Sequence, residues 1–204
     1  KLDSDDYLLD NSLEIIYKAI NKIRKSEYDK RINCFSFLTS HPNGKIINKF
    51  NDLKNIGEKF EEKIIFSDYL PARYMNLITG DLLDVFKSYP LLDHFRYPVF
   101  NDERHCPSGL ISYFIADYFQ GKVAYVLENV LIKDYQLEGI SSQRKKYSLN
   151  IPNKNLKGYL LSYLWLINSA SDKIKHLYLI SRVIFKTSTL LNLSLISKFI
   201  NLLF

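Results

Sequence analysis

Between residues 123 and 131 the sequence VAYVLENVL places apolar side chains at odd and even positions alike. Successive strand residues point to opposite faces of a sheet, so a strand with this pattern has to be covered on both sides. It belongs inside a sheet, away from an exposed face. Helical and strand-like patterns alternate along the rest of residues 1–150, which predicts an α/β body.

Asn11-Ser12-Leu13-Glu14 reads as a helix start, with Asn11 as cap and Glu14 at capping-box spacing. Leu13, Ile16, Tyr17, Ile20 and Ile23 follow helical periodicity and predict one apolar stripe on the core. Lys22, Arg24 and Lys25 suit the negative pole at the helix end. A strand is expected over residues 32–38, a turn at His41-Pro42-Asn43-Gly44 and a second strand over 45–50, together a hairpin. The charged stretch 52–63 reads as a surface helix or loop, and 68–76 as a short helix. Leu77-Ile78-Thr79-Gly80-Asp81 leads into a strand-like run to Phe86. Pro107 suits the first turn of a helix whose apolar face is Leu110, Ile111, Phe114, Ile115, Tyr118 and Phe119, ending at Gly121.

Residues 151–204 change character to apolar, helical sequence. Residues 158–171 carry no charge, yet a bilayer span needs roughly 20 residues. Over 159–204 the bases Lys173, Lys175, Arg182, Lys186 and Lys198 face one acid, Asp172. Such helices lie at a membrane surface or pack on the body or a second subunit. Net charge is +6, which fits nucleotide phosphates, anionic lipid or an ordinary solvated surface; no nucleic-acid recognition motif accompanies it. Cys34 and Cys106 stand far apart with no CxxC or His/Cys cluster, which supports neither a disulfide scaffold nor a zinc site and suggests a reducing, cytoplasmic setting.

Asp3-Ser4-Asp5-Asp6 offers closely spaced carboxylates, hard oxygen ligands suited to Mg²⁺ or Mn²⁺. Acidic runs of this kind also serve as structural caps. Its surroundings are more specific. Leu2-Asp3-Ser4-Asp5-Asp6-Tyr7-Leu8, followed by Asn11-Ser12-Leu13-Glu14, resembles the "LDSDD-x-L…N-x-L-E" stretch of family 2 glycosyltransferases. Ile78-Thr79-Gly80-Asp81 with Val85-Phe86 resembles "ITGD…VF" of one bacterial polysaccharide-type branch. Tyr97-Pro98-Val99-Phe100-Asn101-Asp102-Glu103-Arg104 resembles its "FP-x-F-x-x-E-K", and Gly109-Leu110-Ile111 with Ile115-Ala116 its "G-L-I-W-N-R-I-A". Glu128-Asn129-Val130-Leu131-Ile132 and Glu138-Gly139-Ile140-Ser141-Ser142 resemble "N-E-V-L-x-I-Y" and "D-G-L-S-S". The matches are collinear over residues 2–145.

The resemblance implies a GT-A, Rossmann-like sandwich over residues 1–150 lacking its first strands, followed by a helical tail over 151–204. It implies a cytoplasmic inverting enzyme of cell-surface polysaccharide biosynthesis, moving a sugar from a nucleotide-sugar donor, UDP-linked in kind, to a glycan or lipid-linked glycan. Asp3 and Asp5 would contact the donor ribose and a divalent cation, Mg²⁺ or Mn²⁺, with Asp6 supporting. Gly80 and Asp81 would sit beside the acceptor pocket, and residues 155–204 would touch the inner face of the membrane.

Two departures bear on activity. The branch's opening strands have no counterpart ahead of Lys1, which reads as a piece of something longer, and Ser108 follows Pro107 where the branch carries an acid. An unassisted hydroxyl is too weak a base at neutral pH. Glu103, with Asp102 behind it, is then the candidate base; either also reads as a surface acid paired with a cation. His105 reads as a polar cap beside the helix start and Cys106 as an inert thiol. Two other functional readings follow: a catalytically inactive remnant of such an enzyme, and a basic membrane-associated module.

Overall fold

The computed structural model describes residues 6–51, 57–68, 78–88, 94–102, 106–107, 109–112, 114, 122–135, 157–158 and 161–162. The chain forms two compact units, residues 1–95 with 115–139, and residues 96–114 with 140–204.

The first unit is a mixed α/β body dominated by strands. β1 (Asp6–Leu8) leads to α1 (Ser12–Arg24) and a single 3₁₀ turn, Asp29–Arg31. β2 (Ile32–Ser40), β3 (Lys49–Phe50), β4 (Glu58–Glu61), β5 (Ile64–Asp68), β6 (Ile78–Thr79), β7 (Leu83–Phe86) and β8 (Lys122–Lys133) follow. Six strands make one sheet in the order β4-β5-β8-β2-β7, with β1 added to β8; β3 and β6 pair separately.

β8 is the central strand, as its two-sided apolar pattern requires. It runs parallel to β2 along one side. On the other side β5 pairs antiparallel with its first half, Ile64 opposite Val126, and β1 with its end, Asp6 opposite Lys133. Val123, Ala124 and Tyr125 are wholly buried, so neighbouring residues on opposite faces are both covered. On the face that carries α1, the core joins Ala19 and Ile23 to Phe35, Phe37, Phe66, Val126 and Val130.

α1 forms where expected, and Ile16, Ile20 and Ile23 of the expected stripe face the core, but the buried face is rotated away from Leu13 and Tyr17. Ser12, Ala19 and Ile23 are buried, with Ile15, Ile16 and Ile20 partly so, while Leu13 and Tyr17 remain 69% and 67% exposed. The cause is an anchor in the first turn: the buried Ser12 hydroxyl donates to the Val130 carbonyl of β8 at 2.5 Å. That bond sets the helix rotation, and small Ala19 lets the helix lie close to the sheet. Asn11 makes no side-chain cap bond; its carbonyl accepts the Ile15 N–H at 3.0 Å, and Glu14 pairs with Lys18 one turn on. The capping-box expectation is therefore not met.

The turn after β2 is present, but the returning segment pairs with β2 only through an isolated bridge between Ser40 and Ile46, so the expected two-stranded hairpin is not formed. Gly44 has φ +79°, the Gly44 N–H donates to the His41 carbonyl and the His41 N–H to the Lys45 carbonyl, both at 2.9 Å. Only Lys49 and Phe50 of the returning segment form a strand, pairing with β6. The charged stretch 52–63 contains a strand where a helix or loop was expected. β4 is an edge strand whose Glu58 and Lys59 face solvent, and charge on an edge discourages pairing with other chains. Of the helix expected over 68–76, Asp68 ends β5 and the remainder lies outside the described residues.

In the second unit residues 110–112 and 114 are helical, and the Leu110 N–H donates to the Pro107 carbonyl at 3.1 Å, so Pro107 opens the turn as its fixed φ favours. Leu110, Ser112 and Phe114 are buried. Of the tail, residues 157–158 and 161–162 are described and helical. Among the described residues no helix is long and apolar enough to cross a membrane.

Candidate functional site

The C-terminal ends of the parallel strands β2 and β8 lie together, with Ser40 opposite Ile132. Three further segments reach this end of the sheet: β1, which brings Asp6 opposite Lys133; the turn that follows β2; and the loop after β6 carrying Gly80 and Asp81. In open α/β sheets the carboxyl ends of parallel strands leave the crevice where ligands bind.

Asp81 is held from both sides. Its backbone carbonyl accepts the Thr39 hydroxyl at 2.6 Å and the Asn48 side-chain amide at 2.5 Å, while Asn48 Oδ1 accepts the Thr39 N–H at 2.7 Å. Its carboxylate Oδ2 accepts the Tyr135 hydroxyl at 2.6 Å. Among the described residues no hydrogen bond reaches Asp81 Oδ1, and Asp81 is exposed. Burial pushes the Tyr135 pKa well up, followed by the bond to Asp81 and then the charges of Asp81 and Asp6. The phenol therefore stays protonated and remains a donor at physiological pH. The His41 ring lies beside the Tyr135 ring, centroids 5.8 Å apart and planes at 59°.

Gly80 sits where a side chain does not fit. Its φ is +87°, and a Cβ there would lie 2.8 Å from the Ile47 carbonyl oxygen. Strain of this kind costs about 1–3 kcal/mol. Gly80→Ala is expected to lower the melting temperature by about 2–10 °C, read by a thermal melt. A melt matching the parent protein would show that the loop adopts another backbone path at no cost.

Asp6 and Lys133 form a part-buried ion pair at 2.8 Å, their side chains 7% and 13% exposed. The ammonium thus neutralises the one carboxylate of the acidic cluster that is described; Asp3 and Asp5 lie outside the described residues. Among the described residues no group of three or more His, Cys, Asp or Glu is arranged to hold a metal ion. The Asn129 amide donates to Ser40 Oγ at 2.9 Å.

Asp102 belongs to the second unit, where both of its carboxylate oxygens accept from Lys157, at 2.7 and 2.8 Å. That hydrogen-bonded ammonium holds the Asp102 pKa below the usual carboxylate value and weakens it as a base. Glu103, His105 and Ser108 lie outside the described residues. Cys34 is buried in β2 and Cys106 half-buried; both are thiols.

Of the residues expected at a site, Asp6, Gly80 and Asp81 come to one end of the sheet. Sequence reasoning passed over Thr39, His41, Asn48, Lys133 and Tyr135. One signal was available for two of them: Lys133 and Tyr135 end and follow a strand recognisable as central. Thr39 and Asn48 belong to no motif, and His41 reads as an ordinary turn residue.

No protein-family model matches the chain, and no curated protein or solved structure matches it either.

Proposed function

We propose that the chain is an inverting glycosyltransferase of the family 2 kind, with a GT-A-like, Rossmann-type body, acting in cell-surface polysaccharide synthesis at the cytoplasmic face of the membrane. One observation carries this reading. Asp6, Gly80 and Asp81, nominated by motifs in distant parts of the sequence, converge at the C-terminal ends of β2 and β8 in the first unit. Their meeting at one end of the sheet supports the reading over a chance match of short strings.

In this reading Asp3 and Asp5 hold Mg²⁺ or Mn²⁺, which when bound supplies charge neutralisation at the departing diphosphate. The exposed carboxylate of Asp81 faces the acceptor. A carboxylate base takes the proton of an acceptor hydroxyl as that oxygen forms its bond to the anomeric carbon. The donor's glycosidic bond electrons leave with the nucleoside diphosphate, and configuration inverts. Glu103 is the base favoured here, because Lys157 already engages both oxygens of Asp102.

The test is calorimetric titration of UDP into the full chain, with Mn²⁺ and then with EDTA. Binding that requires the cation and is lost in Asp5→Ala is the expected result. Cation-dependent binding that survives Asp5→Ala would remove the metal assignment, and no UDP binding in the presence of Mn²⁺ would overturn the glycosyltransferase reading. Ser108 favours a second reading, an inactive remnant of the same enzyme type. Transfer activity measured with Ser108→Glu, set against the parent chain, separates the two.

A further inference from the structure

A hexose presents two kinds of surface to a protein: a rim of hydroxyl groups, and ring faces made of C–H bonds. Sites that hold it combine a carboxylate or amide for the rim with an aromatic side chain for the face, since an aromatic ring offers apolar area in a rigid frame. The end of the first unit's sheet carries both elements side by side.

Asp81 supplies the carboxylate. Its backbone is pinned by Thr39 and Asn48, and its Oδ2 by the Tyr135 hydroxyl at 2.6 Å, so Oδ1 has a defined position with no hydrogen bond from the described residues. A carboxylate oxygen fixed in this way accepts a hydroxyl proton without the entropy loss of first ordering its own side chain. Tyr135 and His41 supply the ring surface, half-buried, with centroids 5.8 Å apart and planes inclined by 59°. The turn closed by Gly44 carries His41 to this position, and the end of β8 carries Tyr135. Neither His41 nor Tyr135 belongs to the core cluster that contains Phe35, Phe37 and Phe66.

We propose that His41, Tyr135 and Asp81 form a sugar-binding subsite, in which the two rings meet the C–H face of a hexose and Asp81 Oδ1 accepts one of its hydroxyl groups. Tyr135 has two parts in it: its ring is contact surface, and its hydroxyl positions Asp81. The geometry alone argues for a hexose; that this hexose is the acceptor's terminal sugar rests on the glycosyltransferase reading.

The probes are methyl glucoside, methyl galactoside and methyl N-acetylglucosaminide, followed by saturation-transfer NMR on the full chain, with UDP and Mn²⁺ titrated in parallel. At least one glycoside is expected to bind. Asp81→Asn keeps the shape and removes the charged acceptor, and is expected to weaken that glycoside about tenfold. Tyr135→Phe keeps the ring and frees Asp81, with an expected loss of about threefold, whereas Tyr135→Ala removes both contributions and abolishes binding. A purely structural role for Tyr135 would make Phe and Ala alike. Circular dichroism of each variant reports folding, and Asp81→Asn, an exposed change, carries the test if Tyr135→Ala does not fold. Absence of binding by all three glycosides, or equal binding by the parent chain and Asp81→Asn, overturns the proposal. Metal-dependent UDP binding alongside either of those results leaves the glycosyltransferase reading standing. Tyr135-dependent glycoside binding without UDP binding leaves the sugar subsite and removes that reading.

Discussion

Replacing Lys133 by Met is expected to lower stability by about 3–5 kcal/mol, which for a chain of this size is a melting point about 6–20 °C lower. Asp6 and Lys133 sit opposite each other where β1 joins β8, 2.8 Å apart and almost closed to solvent. Methionine preserves most of the lysine stem, so the packing changes little. What changes is that the Asp6 carboxylate, 7% exposed, loses its ammonium and keeps the full desolvation penalty. The double variant Asp6→Leu, Lys133→Met removes both charges and is expected to recover to within about 1 kcal/mol of the parent. Denaturant titration of all three proteins measures this directly. A double variant as unstable as Lys133→Met would show that the loss comes from packing of the lysine stem.

Phe66→Ala is the second large effect, an expected loss of about 3–5 kcal/mol. Phe66 is fully buried in β5, with the Tyr28 ring 4.7 Å and the Phe60 ring 4.9 Å from its centroid. Tyr28 and Phe60 complete the cluster edge to face at 5.6 Å, and the Tyr28 hydroxyl donates to Glu58 at 2.6 Å. The three rings join the segment between α1 and β2 to the β4–β5 hairpin. Truncation leaves a cavity the two remaining rings cannot fill without leaving their rotamers, so little of the loss is relieved by collapse. Phe66→Leu keeps most of the volume and is expected to cost about 1.5 kcal/mol, measured by the same titration. Equal losses for Ala and Leu would assign the effect to ring–ring geometry in place of cavity formation.

These two sites differ in how far they could be foreseen. The core of β8 was legible because its pattern is local: apolar residues at consecutive positions have one satisfactory environment, the inside of a sheet. The existence of α1 and the turn at Gly44 were legible for the same reason, since helical periodicity and an Asn-Gly pair act over a few residues. The face of α1 was legible in part: Ile16, Ile20 and Ile23 meet the core, Leu13 and Tyr17 do not. Periodicity alone favoured Leu13 and Tyr17, and the rotation was decided by Ser12 reaching Val130, far along the chain. β4 was misread because its residues Glu58, Lys59 and Glu61 carry the charge of a solvated loop, while its hydrogen bonds come from β5.

The candidate site divides along the same line. Asp6, Gly80 and Asp81 stood out through short motifs, which are local strings. Their partners did not. Lys133 lies 127 residues from Asp6, and Tyr135 lies 54 from Asp81. Sequence by itself determined an α/β chain with one strand buried on both faces, a helix after Asn11 and a tight turn before Lys45. Tertiary structure alone decided which face α1 buries, that a lysine neutralises Asp6, and that a tyrosine holds Asp81. Patterns and turns are set by neighbours along the chain, whereas partners are set by the register of strands that meet only once the sheet has formed.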